Sequence, residues 1–188
     1  MILTLSTRPW TLNMADLKLL NRNFASDDCL KKRDYSIKLV PNAGSLTDYH
    51  TTFLFDYDIF PATIMSSKAQ WQLEARQMQL GDVILQKLYI PPLGWGLCIE
   101  CAVRVCALEN EPGKVGFAYE TLPGHVEKGV SDFHICEQDG DILFGVHTRS
   151  APAHWLARAA RPIARCYQSS CTRQALLHVK RRFEEENG

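Results

Sequence analysis

The chain has 188 residues, of which 46% are hydrophobic and 22% are charged. This composition excludes a disordered chain, because enough apolar surface is available to offset the entropy lost on folding, and the length predicts one domain with one core. Lys plus Arg equal Asp plus Glu at 21 each, so the net charge gives no indication of a nucleic-acid or membrane partner.

Residues 1–47 are weakly patterned and are predicted to form an extension that packs on the main domain, residues 48–188. Within the extension, residues 11–20 predict a short helix capped by Thr11 or Asn13. Residues 27–34 are dense in charge and are predicted as a loop. Residues 35–40 are a candidate strand that ends in a turn.

Residues 51–57 are rich in β-branched and aromatic side chains, which is typical of a strand. Pro61 stands where a helix can begin, since proline is tolerated in the first turn. The helix is predicted to end at Gly81, and its apolar spacing favours a face buried in the core over a cofactor site. The residues at helical spacing are Ile64, Lys68, Trp71, Ala75 and Met78.

From Val83 onward the hydrophobic period changes to two, which predicts β-strands. The predicted strands cover residues 83–90, 97–108, 114–121, 132–136 and 142–148, with a hairpin turn at residues 138–140. The odd positions of the second strand are apolar, so one face should be buried, although a bulge would exchange the faces. Hairpin-scale connections predict an antiparallel meander, which must pack its apolar face against another element.

Residues 153–186 predict a long amphipathic helix that can lie across the sheet, kinked or divided at Pro162. Small residues in its apolar stripe leave room for a close approach of the sheet or for a cavity. The predicted fold class is therefore α+β, with a curved antiparallel sheet wrapped around a long C-terminal helix. The predicted stripe contains Leu156, Ala160, Ile163, Tyr167, Ser170, Gln174 and Leu177.

Residues 149–183 contain eight Lys or Arg and no acidic residue. One interpretation is a solvated helix face that docks on an acidic body. The alternative is a surface that binds an anion or a protein partner, and such binding would weaken with salt.

The segment Gly116–Gly129, GFAYETLPGHVEKG, combines titratable, aromatic and glycine residues most densely. His125 precedes Glu127 by two residues and follows Glu120 closely, and a histidine beside a carboxylate is a component of general acid–base catalysis. The pattern offers no nucleophile and no oxyanion loop. The alternative is that His125 and Glu127 bind backbone groups and fix a turn.

The seven cysteines do not predict a metal site. Cys98 and Cys101 are three apart on a strand and point to opposite faces, while Cys166 and Cys171 are separated around the helix axis by roughly 140°. We expect unligated thiols and no cofactor. The odd number of cysteines, the absence of a secretory leader and the absence of a long apolar run predict a cytoplasmic protein without a membrane span.

The Gly116–Gly129 string resembles an uncharacterised family, "domain of unknown function nineteen-ninety", over roughly residues 48–183. The other matching elements are residues 102–105, Ser150-Ala151-Pro152, Tyr167-Gln168 and Cys171-Thr172-Arg173, and residues 55–61 and 81–82 resemble one branch of the family. The resemblance implies an architecture similar to the helix-grip proteins of the START and plant-allergen type, which hold apolar ligands between a curved sheet and a long C-terminal helix. It implies no activity, since fold does not determine function.

Our first hypothesis is a domain that binds a small apolar molecule in a pocket between the sheet and the C-terminal helix. The alternatives are an enzyme that uses a His/Glu acid–base pair on a small hydrophobic substrate, and a protein-interaction domain that uses its basic helix face. Whether a reaction is catalysed and how many chains associate stay open. The candidate ligand-binding residues are Arg104, Tyr119, Glu120, His125, Glu127 and Tyr167.

Overall fold

The computed structural model of the protein describes residues 2–5, 8–24, 30–90, 96–153 and 161–188. Within these ranges, side chains are described except for residues 2, 5 and 161–168.

Eight strands in the described residues form one open, curved antiparallel sheet. Their order across the sheet is β2-β8-β7-β6-β5-β4-β3, and β1 pairs with the first residues of β5. The predicted meander is confirmed, and β2 and β3 extend it at its two edges. The strands are β1 (Ile2–Leu5), β2 (Lys31–Val40), β3 (Met65–Ala69), β4 (Val83–Tyr89), β5 (Leu97–Glu111), β6 (Lys114–Thr121), β7 (Glu127–Gln138) and β8 (Asp141–Pro152).

Three short helices and one long helix accompany the sheet in the part of the chain that is described. They are α1 (Met14–Leu17), α2 (Thr52–Phe55), α3 (Gln70–Leu73) and α4 (Arg161–Asn187), with a 3-10 turn at Leu46–Asp48. The Asn13 side chain accepts a hydrogen bond from the N–H of Ala15, so Asn13 is the cap of α1. The predicted α+β class, with an antiparallel sheet and a long C-terminal helix, is confirmed.

Two predictions for the middle of the chain are wrong. Residues 52–55 are helical because Phe53, Leu54 and Tyr57 bury their side chains at helical spacing. The predicted helix from Pro61 is instead β3 followed by α3. β3 pairs with β4 along its whole length, from Met65 opposite Leu88. This pairing overrides the helical pattern of the sequence, which is already weak because Ser66 and Ser67 have low helix propensity.

β2 begins at Lys31, inside the segment predicted as a charged loop. It is an edge strand paired with β8 alone, and its charged side chains Lys32 and Asp34 alternate with the inward-facing Tyr35 and Ile37. Charges are common on edge strands because they oppose pairing with other chains. The charge density thus reflects the edge position and not a loop.

The inner face of the sheet carries the main hydrophobic core. Strands β2 to β8 contribute to it, and α2, the segment around Trp71 and the second half of α4 cover it. The largest fully buried side chains are Trp71, Phe53, Phe117, Phe133, Phe144 and Phe183. Because α4 packs against β2 and β8, the helix lies over one side of the inner face and the segment of α2 over the other.

The outer face is covered in part by the N-terminal segment. Trp10, Leu12 and Leu17 pack on a second, smaller cluster that includes Val83 and Leu85 of β4. Beneath this segment lies a buried ion pair between Lys87 and Glu100, 3.3 Å apart. The N-terminal segment therefore covers both the apolar cluster on β4 and the buried ion pair, and shields them from solvent.

The buried stripe of α4 differs from the predicted one. Ser170, Gln174 and Leu177 are exposed, Leu177 by 53%, whereas the buried side chains are Ala175, Val179 and Phe183, spaced by four residues. Leu177 lies about 200° around the axis from Ala175, on the opposite side of the helix.

The described part of α4 begins at Arg161, so the predicted kink or division at Pro162 involves residues that lie outside the described part of the chain. The predicted residues Leu156 and Ala160 lie outside the described residues, and so does the predicted start of the helix.

We expect Val179→Ala to lower the free energy of unfolding by about 2 kcal/mol, since it removes two buried methyl groups and leaves a small cavity. Leu177→Ala is the matched control on the same helix and should change it by less than about 0.5 kcal/mol. Urea denaturation of both variants measures the difference. Equal losses would contradict the assignment of the buried face.

Candidate functional site

A row of hydroxyl groups crosses the inner face at the end of its aromatic core. Tyr119 of β6 lies opposite Ser131 of β7, which lies opposite Thr148 of β8. Tyr119 forms a hydrogen bond with Ser131, and the hydroxyls of Ser131 and Thr148 are 3.4 Å apart. Ser131 and Thr148 are only partly buried, so the row is accessible at that point.

An aromatic wall adjoins this row. The Tyr119 and Phe133 rings are 5.3 Å apart, and Phe133 stacks on Phe117 at 5.5 Å. Tyr57 and Phe60 close the wall from the α2 segment, with Phe60 edge-on to Phe133 at 6.0 Å. Phe60 is half-buried, so the apolar wall meets solvent beside the hydroxyl row.

Buried polar groups continue the row towards β4. The Gln86 amide donates a hydrogen bond to the Tyr57 hydroxyl at 2.5 Å and also bonds Tyr119, and the Cys101 thiol lies 3.6 Å from Gln86 Oε1. Burial raises the pKa of Tyr119 and of Cys101 to about 12, and it raises the pKa of Tyr57 well above its usual value. These groups are therefore uncharged donors and acceptors at neutral pH.

The turn between β6 and β7 brings His125 and Glu127 to the same end of the sheet. The backbone N–H of Glu127 donates a hydrogen bond to His125 Nδ1 at 3.0 Å. Burial lowers the pKa of His125 to about 4, so the imidazole is neutral at pH 7. This contact with the backbone favours the turn-fixing interpretation of the motif.

The N-terminal segment holds this turn from outside. The Asn23 amide donates to the carbonyls of Leu122 and Glu127 at 3.1 and 3.2 Å, and the Thr121 hydroxyl donates to Asn23 Oδ1 at 2.6 Å. The N–H of Gly129 donates to the Thr121 hydroxyl at 2.9 Å. The motif residues are thus fixed by hydrogen bonds on both sides of the turn.

The six sequence-predicted site residues do not form one cluster. Tyr119, His125 and Glu127 lie at the same end of the inner face, where the charge of Glu127 acts on Tyr119. Arg104 and Glu120 lie on the outer face, where Arg104 Nε donates to Glu120 Oε1 at 3.0 Å. The helix position of Tyr167 is described, but its side chain is not.

A wide groove of about 490 Å³ runs along the outer face between β2, β8, β7, β6 and β5. The β-bulge between Val105 and Ala107 turns Ala107 to this side, although its odd position predicted burial. The charged residues that line the groove are Arg22, Lys32, Asp34, Glu120, Asp132 and Arg149.

Sequence reasoning did not identify Ser131, Thr148, Gln86 or Phe60 as site residues. The strand pattern contains a usable signal for the first two, because the register of Ser131 opposite Thr148 follows from the hairpin turn at Asp139-Gly140. Phe60 reaches the row through the α2 segment, which the sequence pattern predicts as a strand, and Gln86 of the predicted strand β4 reaches it beside Tyr57 of that segment.

The basic face of α4 is partly neutralised by neighbouring acids. Asp58 accepts hydrogen bonds from Arg182 at 2.7 Å and contacts His178 at 2.8 Å, and Arg182 also pairs with Glu185 and Glu186. This arrangement favours a helix docked on an acidic body over a surface for a partner.

No helix in the described residues is long and apolar enough to span a membrane. Cys98, Cys101, Cys106 and Cys136 carry thiols that form no disulfide.

Comparisons with known proteins match the chain to a family model, to a curated relative and to solved structures. Residues 48–177 match a family model described as "Domain of unknown function (DUF1990)". A "UPF0548 protein" of Deinococcus radiodurans is 37% identical over 90 residues, and the match covers 45% of each chain, so this chain spans less than half of that relative. A solved structure of an uncharacterized protein from Rhizobium leguminosarum aligns with a TM-score of 0.37 and 9% identity, over 81% of this chain and 97% of that chain.

Proposed function

The chain belongs to the family Domain of unknown function (DUF1990), whose description assigns no activity, and from its own inner face we propose that it binds a small, mainly apolar molecule between the sheet and α4. The observation that carries this proposal is the accessible hydroxyl row of Tyr119, Ser131 and Thr148 beside an aromatic wall. Small-molecule sites are typically apolar surfaces with a few placed polar groups.

The apolar part of the ligand would lie against Phe60 and Phe133. Phe60 is half-buried although it is a large aromatic side chain, so covering it would remove further apolar surface from water. The second half of α4 packs on the inner face, and the helix contacts β2 and β8. The site therefore lies between the helix and the end of the sheet that carries the motif.

The polar groups indicate the chemistry of the ligand head. Tyr119 and Ser131 supply neutral hydroxyls, and Glu127 adds a carboxylate whose charge acts on Tyr119. His125 is neutral at pH 7, since burial lowers its pKa to about 4. A neutral head that carries a hydroxyl or amine is favoured over a carboxylate head, because Tyr119, Ser131 and the neutral His125 offer an acid no cationic partner.

The resemblance to helix-grip proteins supports the same location as an analogy of fold. The thiols of Cys98, Cys101, Cys106 and Cys136 are consistent with the reducing cytoplasm expected from the sequence.

The test uses N-phenyl-1-naphthylamine, a neutral apolar amine whose fluorescence rises when it leaves water. We expect saturable binding by the native protein, and we expect Ser131→Leu to weaken the Kd about tenfold or more, because leucine would fill the accessible part of the hydroxyl row. Ser36→Leu on the outer side of β2 is the matched control and should leave the Kd unchanged.

A second arm tests the polar end with the anionic analogue 8-anilinonaphthalene-1-sulfonate, which should bind more weakly than the neutral amine. Equal effects of Ser131→Leu and Ser36→Leu, or no saturable binding of the neutral probe, would contradict the proposed site. Tighter binding of the anionic probe would contradict the proposed head-group preference.

A further inference from the structure

The wide groove on the outer face, hereafter the outer groove, lies on the side of the sheet opposite the proposed apolar site and does not depend on it. Its floor is apolar, because Ala107, Ala118 and Val130 line it from the adjacent strands β5, β6 and β7. Most of the remaining lining side chains are charged. Its volume of about 490 Å³ is typical of sites for small molecules.

The acids of the outer groove already have basic partners. Arg104 Nε donates a hydrogen bond to Glu120 Oε1 at 3.0 Å, and His147 Nδ1 lies 2.7 Å from Asp34 Oδ1. The third acid, Asp132, contacts Nδ1 of a histidine on its own strand. The carboxylates of the groove are thus used within the protein.

The cations of the outer groove differ from the acids in this respect. Among the residues that the structure describes, the side chains of Lys32, Arg149 and Arg22 form no ion pair and no hydrogen bond. Lys32 of β2 also lies directly opposite Arg149 of β8. Because like charges in directly opposite positions destabilise a sheet, a bound anion would relieve a repulsion that the fold imposes.

Arg22 is held at the outer groove by hydrogen bonds on both sides of it in the chain. Arg104 Nη1 donates to the carbonyl of Leu20 at 2.7 Å, and the N–H of Asn23 donates to a carbonyl at the end of β6 at 3.3 Å. The Arg22 guanidinium also lies 5.0 Å from the centre of the Phe24 ring. The third cation therefore comes from a segment that is anchored to the sheet.

We propose that the outer groove binds a small phosphate ester, with the phosphate between Lys32 and Arg149 and the organic part on the apolar floor. A guanidinium group binds phosphate oxygens through paired, charge-assisted hydrogen bonds, and a lysine adds a compact charge. Arg22 adds positive charge to the same concave surface, where the field of neighbouring charges is focused.

The charges of the outer groove also define the class of ligand. A phosphate ester carries a charge of about −1.5 to −2 at neutral pH, so it matches several cations better than a carboxylate does. The three acids in the same groove would repel a polyanion, which excludes a nucleic-acid strand as the better fit. Their oxygens can accept hydrogen bonds from hydroxyl groups on the organic part of the ligand.

Isothermal titration with adenosine 5′-monophosphate at low salt tests the site, with adenosine and inorganic phosphate as separate titrants. We expect one nucleotide per chain. Adenosine and inorganic phosphate should each bind at least about tenfold more weakly, since each makes only part of the contacts. Binding of the nucleotide should weaken as sodium chloride is added, because the cations are exposed.

Arg149→Gln should weaken the Kd for the nucleotide about tenfold or more, because it removes one side of the phosphate site. Arg173→Gln is the matched control, since it removes the same charge from an exposed position on α4 that does not line the groove, and it should leave the Kd unchanged. Without ligand, the melting temperature of Arg149→Gln should not fall, because the variant removes the repulsion from Lys32.

Three results would overturn the site: no binding of the nucleotide, an unchanged Kd in Arg149→Gln, or an equal loss in Arg173→Gln. Adenosine or inorganic phosphate that binds as tightly as the nucleotide would overturn the assignment of a phosphate ester. A lower melting temperature of ligand-free Arg149→Gln would show that Arg149 has a stabilising partner within the protein, which contradicts the argument from repulsion.

Discussion

Lys87→Met is expected to lower the free energy of unfolding by about 3–5 kcal/mol, because it leaves the carboxylate of Glu100 buried without its cation. Lys87 and Glu100 are 3% and 1% exposed, and their charged atoms are 3.3 Å apart. The Lys87 ammonium also donates to the carbonyl of Arg8 at 2.7 Å and lies 4.9 Å from the Trp10 ring. Methionine fills the space of the lysine, so the loss reports the charge.

The control is Lys38→Met, which breaks a surface ion pair with Asp141 and should cost at most about 1 kcal/mol. Urea denaturation measures both variants. If Lys87→Met cost no more than Lys38→Met, the buried pair would not anchor the N-terminal segment.

The cost of Lys87→Met should also depend on pH. Burial alone would raise the pKa of Glu100, but hydrogen bonds from Thr11 and Leu12 and the contact with Lys87 hold it below its usual value. In the native protein, the stability contributed by Glu100 is present above the unfolded-state pKa of about 4.3 and is lost as the pH falls through the folded value. The cost of the variant should therefore shrink below about pH 4, and a cost that does not change with pH would indicate lost packing instead of an unpaired charge.

Gly129→Ala is expected to lower the free energy of unfolding by about 3 kcal/mol or more. Gly129 has a φ of +152°, and a Cβ there would lie 2.0 Å from the carbonyl oxygen of Arg149 on β8. Neither strand can move without breaking the pairing of β7 with β8, and the N–H of Gly129 is held by Thr121. Thermal denaturation followed by circular dichroism measures the loss.

Gly140→Ala is the matched control, since Gly140 also has a positive φ, +82°, but its Cβ would meet no atom within 4 Å. Its cost should be about 1–2 kcal/mol, from backbone strain alone. Similar losses for the two variants would mean that the close approach of β8 to Gly129 is not the cause.

The family resemblance read from the Gly116–Gly129 string is confirmed by the match over residues 48–177. The string is specific because its spacing meets several local constraints. One such constraint requires a glycine at position 116, since a Cβ atom there would lie 2.4 Å from the carbonyl oxygen of Phe133 on the neighbouring strand. Such constraints are visible in the sequence as conspicuous glycines, even though their cause lies in the paired strand.

The candidate site could be predicted only in part. Tyr119, His125 and Glu127 are neighbours in the chain as well as in space, so the motif identified them together. Arg104 and Glu120 were predicted with them but pair on the outer face, because adjacent residues of a strand point to opposite sides. The stacking of His134 on His147 could not be predicted, because it depends on the absence of a side chain at Gly145.

By itself, the sequence determined the alternation of the strands β4 to β8, the hairpin at Asp139-Gly140 and the presence of a long C-terminal helix, because these depend on local periodicity and turn chemistry. The tertiary structure decided that residues 65–69 form a strand, that Ala175, Val179 and Phe183 are the buried side of the helix, and that Lys87 meets Glu100. Those outcomes depend on which surfaces are close in space. Burial and pairing energies between distant segments exceed the weak intrinsic preferences of short stretches of chain.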